Sequence, residues 1–135
     1  EQELQGLLKR MQDILGDRVT EVRASKRLRS SPACLVNPEQ GISSQMQKIM
    51  RTIQQDTSIP KQIMEVNPKH PLTKNLLRVY AQDPQDEFLR TSTEQLFEAA
   101  LLMAGYLADP HNMVQRTFSL LEEAGKWYVQ AGQQK

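Results

Sequence analysis

The sequence predicts an α+β domain, a small three-stranded sheet packed with helices and ending in a helical hairpin that forms an intermolecular four-helix bundle. Three observations carry that expectation. Apolar residues recur at helical spacing in several separate stretches, most clearly over 4–15 and 93–129. Three short runs, 19–25, 33–36 and 62–67, are β-branched or apolar and are bounded by turn residues. The resulting order is helix, two strands, helix, strand, then three helices, with no long repeat and no low-complexity segment.

At 135 residues the chain suits one domain with a core of its own. Lys and Arg number 17 against 16 Asp and Glu, a formal charge of +1, so no global field recruits nucleic acid or an anionic membrane. Partners are then recognised by shape and apolar contact. A single cysteine excludes an internal disulfide, and without a Cys/His cluster there is no structural zinc site; both fit a reducing cytosol. No apolar run approaches the roughly 20 residues of a membrane span. The first residues enter a helical pattern directly and no initiator methionine is present, so the expectation is a domain cut from a longer protein, with any chemistry located upstream.

Leu4, Leu7, Leu8, Met11, Ile14 and Leu15 define an amphipathic first helix that Gly16 ends as a C-cap. Residues 19–25 follow as a strand. The basic cluster Arg23, Lys26, Arg27 and Arg29 has two readings, a phosphate-binding patch or a solvated strand edge and turn. The second is favoured because no aromatic residue is interleaved to stack on bases. Ala33-Cys34-Leu35-Val36 reads as a buried strand in which Cys34 is a small, inert core residue, and 37–41 is a loop.

Over 43–55 the apolar residues Ile42, Met46, Ile49, Met50 and Ile53 fall on one narrow stripe flanked by Gln, Lys and Arg. Either the helix projects and offers adaptable methionines to apolar partners, or it lies on the sheet with its stripe in the core; the residues alone leave both open. Residues 62–67 form the third strand, with Ile63 and Met64 joining the sheet. Asn67-Pro68-Lys69-His70-Pro71 stops the strand and starts a helix, Pro71 standing near the first turn and His70 helping to begin it. Asp83-Pro84 marks the next break, and Ser92 with Gln95 has the spacing of a capping box.

The hairpin over 93–129 follows, jointed at Leu107-Ala108-Asp109-Pro110. In its first helix Leu96, Ala100, Met103 and Leu107 form one row and Phe97, Leu101, Ala104 and Ala108 a second beside it. Together they span an arc of roughly 200°, wider than the single stripe a surface helix needs. In its second helix Met113, Val114, Phe118, Leu120 and Leu121 are followed by Ala124, Trp127 and Tyr128 on one broad half. Such a hairpin has more apolar face than its own fold covers, and the expected complement is an identical hairpin from a second copy. The interface residues expected from this pattern are Leu96, Phe97, Ala100, Leu101, Met103 and Ala104, with Leu107, Met113, Val114, Phe118 and Leu121.

Nothing points to catalysis. Gly41 and Gly105 stand alone rather than in a phosphate loop, His70 and His111 lack a second ligand at usable spacing, and Glu94, Glu98, Glu122 and Glu123 read as solvated helix faces.

Arg18-Val19, Val22-Arg23, Ser25, Arg27-Leu28 and the run from Ser31 to Val36 resemble the opening of the carboxy-terminal domain of the heat-shock protein 90 chaperones. The segment from Glu65 to Leu72 resembles that family's Asn-Pro-x-His stretch before a helix. Gln95-Leu96, Ala99 to Gly105, Asp109-Pro110, Met113-Val114 and Leu120-Leu121 are similar to its terminal helix pair. The likeness is to the bacterial high-temperature protein G type in particular. It implies the dimerisation domain of an ATP-driven, cytoplasmic, homodimeric chaperone, with ATP and magnesium held by upstream domains and no cofactor, metal or catalytic residue in this chain. It implies client contact through Ile42, Met46, Ile49, Met50 and Ile53, unfolded or partly folded proteins as partners, and neither nucleic acid nor membrane. The alternative is a nucleic-acid-binding homodimer using Arg23 to Arg29. The chain ends Gly132-Gln133-Gln134-Lys135, without the acidic tail of eukaryotic cytosolic members, so tail-binding co-chaperones are not expected. The helix past Leu121 is longer than the bacterial pattern leads one to expect, which lengthens the anticipated interface.

Overall fold

The computed structural model describes residues 2–26, 30–37, 61–106 and 110–133. The elements are α1 (Gln2–Leu15), β1 (Val19–Ala24), β2 (Ala33–Val36), β3 (Gln62–Val66), α2 (Pro71–Gln82), α3 (Glu87–Ala104) and α4 (His111–Gln133). The expected α+β class and three-stranded sheet are present. The helix anticipated over 43–55 lies outside the described residues.

The sheet order is β1-β3-β2, so the strand latest in sequence is central. β1 pairs with it in parallel, with a register irregularity between Val19 and Glu21, and β2 pairs with it antiparallel. Being flanked on both sides, β3 is buried at every residue. β2 is an edge strand with only Ala33 buried; Cys34 is half-buried, which corrects the expectation of a core cysteine on a buried strand.

The core forms where α1, α2 and α3 meet the sheet. Leu7, Met11 and Leu15 from α1, Met64 and Val66 from β3, Leu76 from α2 and Leu89 from α3 are almost wholly enclosed. Burial of each such large aliphatic side chain is worth about 1.5–3 kcal/mol. Packing of α1 on α2 is close: a Cβ on Gly6 would stand 2.7 Å from the Tyr80 hydroxyl.

Local chemistry sets the element boundaries. Gly16, at φ +61°, turns the chain out of α1 in the left-handed conformation that glycine adopts freely. Arg18 then folds back, donating from Nε to the Leu15 carbonyl at 2.9 Å and from its terminal nitrogen to the Ile14 carbonyl at 3.0 Å. These are carbonyls at the end of a helix that have no partner within it. Asn67 donates through its side chain to the Ser31 carbonyl and accepts from the Lys69 N–H, tying β3 to the approach to β2. His70 caps α2, its Nδ1 accepting from the Leu72 N–H at 3.1 Å, and Pro71 takes the first helical position as expected.

The hairpin's first helix starts earlier than the Ser92/Gln95 spacing suggests. Asp86 is the cap, accepting from the Phe88 N–H at 2.9 Å, and Ser92 is buried inside the helix. The turn at Asp83-Pro84-Gln85, held by the Gln85 N–H to Asp83, presents the Asp86 carboxylate to the new helix. The helix also ends earlier, at Ala104: Gly105, at φ +83°, caps it, and the Tyr106 N–H donates back to the Leu101 carbonyl. Tyr106 is itself buried in the core.

Candidate functional site

Among the described elements, the helix α4 has the largest unmet physical demand. It is 23 residues long, and none of its described side chains is buried. Contacts with α3 hold it in place. Gln95 donates to the Thr117 hydroxyl at 2.7 Å, Arg116 reaches Gln95 Oε1 and forms a short ion pair with Glu98, and Phe88 meets Trp127 edge to face with ring centroids 5.2 Å apart. Arg116 and Glu98 side chains are each only 17 % exposed, so Glu98 is part of a shielded interhelical pair rather than a solvated face. Glu94 likewise pairs with Arg18, which also lies over the Phe97 ring.

These contacts occupy one side of α4. The remainder of its apolar surface stands in solvent: Val114 is 42 % exposed, Phe118 59 %, Leu121 64 % and Tyr128 83 %. Leu102 and Met103 at the end of α3 are exposed as well. Between α2, α3 and α4 runs a groove of about 780 Å³, lined by Leu72 and Val79, by Leu96 and Ala99, and by Leu120, Leu121, Ala124 and Trp127. Leu121 belongs to both groove and exposed face, so the two are continuous. Apolar surface on this scale is the usual mark of a protein-contact site.

The structure divides the expected interface residues into two sets. Leu96, Phe97, Ala100 and Leu101 are buried within the single chain, and Ala104 packs partly against the same core. Met103, Val114, Phe118 and Leu121 are exposed, Met113 is half-buried, and Leu107 lies outside the described residues. The inner row of α3 thus serves this chain's own core, while the end of α3 and the outer side of α4 remain open. Sequence reasoning missed Leu102, which falls on the far side of the helix from both rows, and the Arg116–Glu98 pair.

Ile42, Met46, Ile49, Met50 and Ile53 lie outside the described residues, as do Arg27 and Arg29. Arg23 is engaged by Glu65 on the neighbouring strand at 2.8 Å, so it does not present a free cation to a phosphate. Among the described residues no cluster of His, Cys, Asp and Glu is arranged to hold a metal ion, and no helix is long and apolar enough to cross a membrane. His70 is committed to its helix cap.

Comparison of the sequence with known proteins matches it to chaperones. The chain is 50 % identical over 127 residues to the chaperone protein HtpG of Oleidesulfovibrio alaskensis, covering 94 % of this chain and 20 % of that protein. It is 43 % identical over 122 residues to the HtpG of Nitratidesulfovibrio vulgaris, covering 90 % and 19 %, and 41 % identical over 128 residues to that of Pseudoalteromonas translucida, covering 93 % and 19 %. The chain therefore spans about a fifth of the length of the curated relatives it matches. The profile of the family described as Hsp90 protein matches residues 1–134, essentially the whole sequence. With a match from end to end and relatives at this identity, the chain belongs to the Hsp90 protein family.

Proposed function

We propose that this chain is the homodimerisation module of an ATP-dependent molecular chaperone that assists folding and maturation of client proteins. The observation that carries the reading is α4, held to its own chain along one side while its remaining apolar face is open to solvent. A second copy offering the same surface covers both faces at once, which is the condition for a two-fold interface.

The mechanism is tethering. Holding two chaperone arms together raises the effective concentration of each near the other, so that parts of the protein lying beyond this chain close as a clamp without a diffusive search. ATP and magnesium belong, in this reading, to the four-fifths of the relatives' length that this chain does not match, and the whole protein works in the cytoplasm on unfolded or partly folded clients. Ile42, Met46, Ile49, Met50 and Ile53 are the proposed client contacts. The nucleic-acid alternative gains no support from Arg23, which Glu65 occupies.

Light scattering on the 135-residue chain across a dilution series tests the reading. A mass of twice the monomer's 15.5 kDa, persisting into the low micromolar range, is the expected outcome. A folded monomer at every concentration refutes it.

A further inference from the structure

The groove between α2, α3 and α4 meets a different chemistry at its aromatic pair. Phe88 and Trp127, the two rings in edge-to-face contact, line both the groove and a second cavity of about 350 Å³, and so do Asp86 and Leu120. Glu87 and Glu123 line the second cavity as well, so three carboxylates surround the rings where the apolar groove ends at them. No Lys, Arg or His lines either space among the described residues.

These features select a ligand. A volume of about 780 Å³ suits a small organic molecule, and the hydrocarbon of Leu72, Val79, Leu96 and Ala99 requires that most of it be apolar. The carboxylates repel an anionic head and attract a cationic one. Glu87 is exposed and Glu123 pairs with Lys126 at 3.4 Å, so solvent and a counter-charge weaken both. Asp86 is the stronger attractor. It is half-buried, is in no ion pair among the described residues, and keeps acceptor capacity beyond the Phe88 N–H that it caps. Beside it the Trp127 ring is 46 % exposed, and an indole face is the best aromatic partner for an ammonium group. Ser92 adds a polar contact point within the groove: it is only 5 % exposed, and its hydroxyl has no hydrogen-bond partner among the described residues.

We infer that the groove between α2, α3 and α4 binds a small amphipathic cation, its apolar body against Val79 and Leu96 and its positively charged head at Asp86 beside the Trp127 ring. Every residue of the site belongs to one chain, so the inference goes beyond the homodimer reading and does not depend on it.

Trp127 is the only tryptophan in the sequence, so its fluorescence reports directly on the site. The 135-residue chain is titrated with decyltrimethylammonium below its micelle-forming concentration, with decanol and decyl sulfate as neutral and anionic counterparts and far-UV circular dichroism as the check on folding. A saturable change is expected with the cation, binding about fivefold weaker or more with decanol, and no response to decyl sulfate. Asp86→Asn keeps an acceptor for the Phe88 N–H while removing the charge, so the fold persists and the cation binds no better than decanol. Ala99→Leu favours the helix and fills the groove, which abolishes the response to both. Equal binding of decyl sulfate, or unchanged cation affinity in Asp86→Asn, overturns the charged head. Binding that survives Ala99→Leu overturns the groove, and the absence of any saturable response to the cation overturns the whole inference. None of these results bears on the homodimer, which the mass of the chain decides.

Discussion

His70 begins α2 with an imidazole where a hydroxyl or carboxylate is more usual, and its Nδ1 satisfies the Leu72 N–H. His70→Ala is expected to cost about 1 kcal/mol in urea denaturation, whereas His70→Asn, which supplies another acceptor, retains most of that. Thr93 is the opposite case. It is completely buried, and its hydroxyl has no hydrogen-bond partner among the described residues. Thr93→Val keeps the shape and the β-branch while removing the unsatisfied group, so stability should hold or rise by up to about 1 kcal/mol in the same measurement. The role of His70 was readable in Asn67-Pro68-Lys69-His70-Pro71, because two prolines leave few places for a helix to start. The start of α3 was not. Ser92 and Gln95 satisfy the spacing of a capping box, but Leu89 extends the stripe of Thr93, Leu96 and Ala100 upstream of it, and Asp86 reaches the free N–H groups first.

Between elements, the decisive feature is the polar lock of α3 on α4. Arg116→Ala leaves the shielded Glu98 carboxylate without its cation and is expected to cost about 1–3 kcal/mol, read from denaturant midpoints. Replacing Glu98 and Arg116 together with Leu and Met should recover most of that loss, since an apolar pair needs no compensation. Such a pair is hidden from sequence inspection. Glu98 and Arg116 lie on different helices, and only the register of the hairpin brings them together. The edge position of β2 was hidden for a similar reason, because an apolar run of four residues looks the same at the margin of a sheet as at its centre. The strands themselves and the amphipathic helices among the described residues were legible, since each is fixed by local periodicity and by Gly, Pro and Asp at its ends.

For the whole molecule, the broad apolar arc of the hairpin was visible in the sequence, but its division between this chain's core and its open surface was not. Wheel position alone does not distinguish Leu101, which is 4 % exposed, from Phe118, which is 59 % exposed. The two make opposite predictions. Leu101→Asp places a charge in the core and is expected to unfold the chain at a cost of several kcal/mol, on the order of its whole stability. Phe118→Asp should leave the melting temperature of the monomeric fold nearly unchanged and shift the sedimenting species from dimer to monomer. The strand order has a consequence for biosynthesis. Among the described residues β3 is the only strand that β1 and β2 pair with, and it is the last of the three to be made. Until Val66 has left the ribosome, both earlier strands wait with open edges, and β1 must then close a long loop to Gln62 at an entropic cost that slows the step. The nascent sheet is thus exposed to mispairing over that interval, and a pause in translation before residue 62 should lower the yield of folded protein more than the same pause after residue 66.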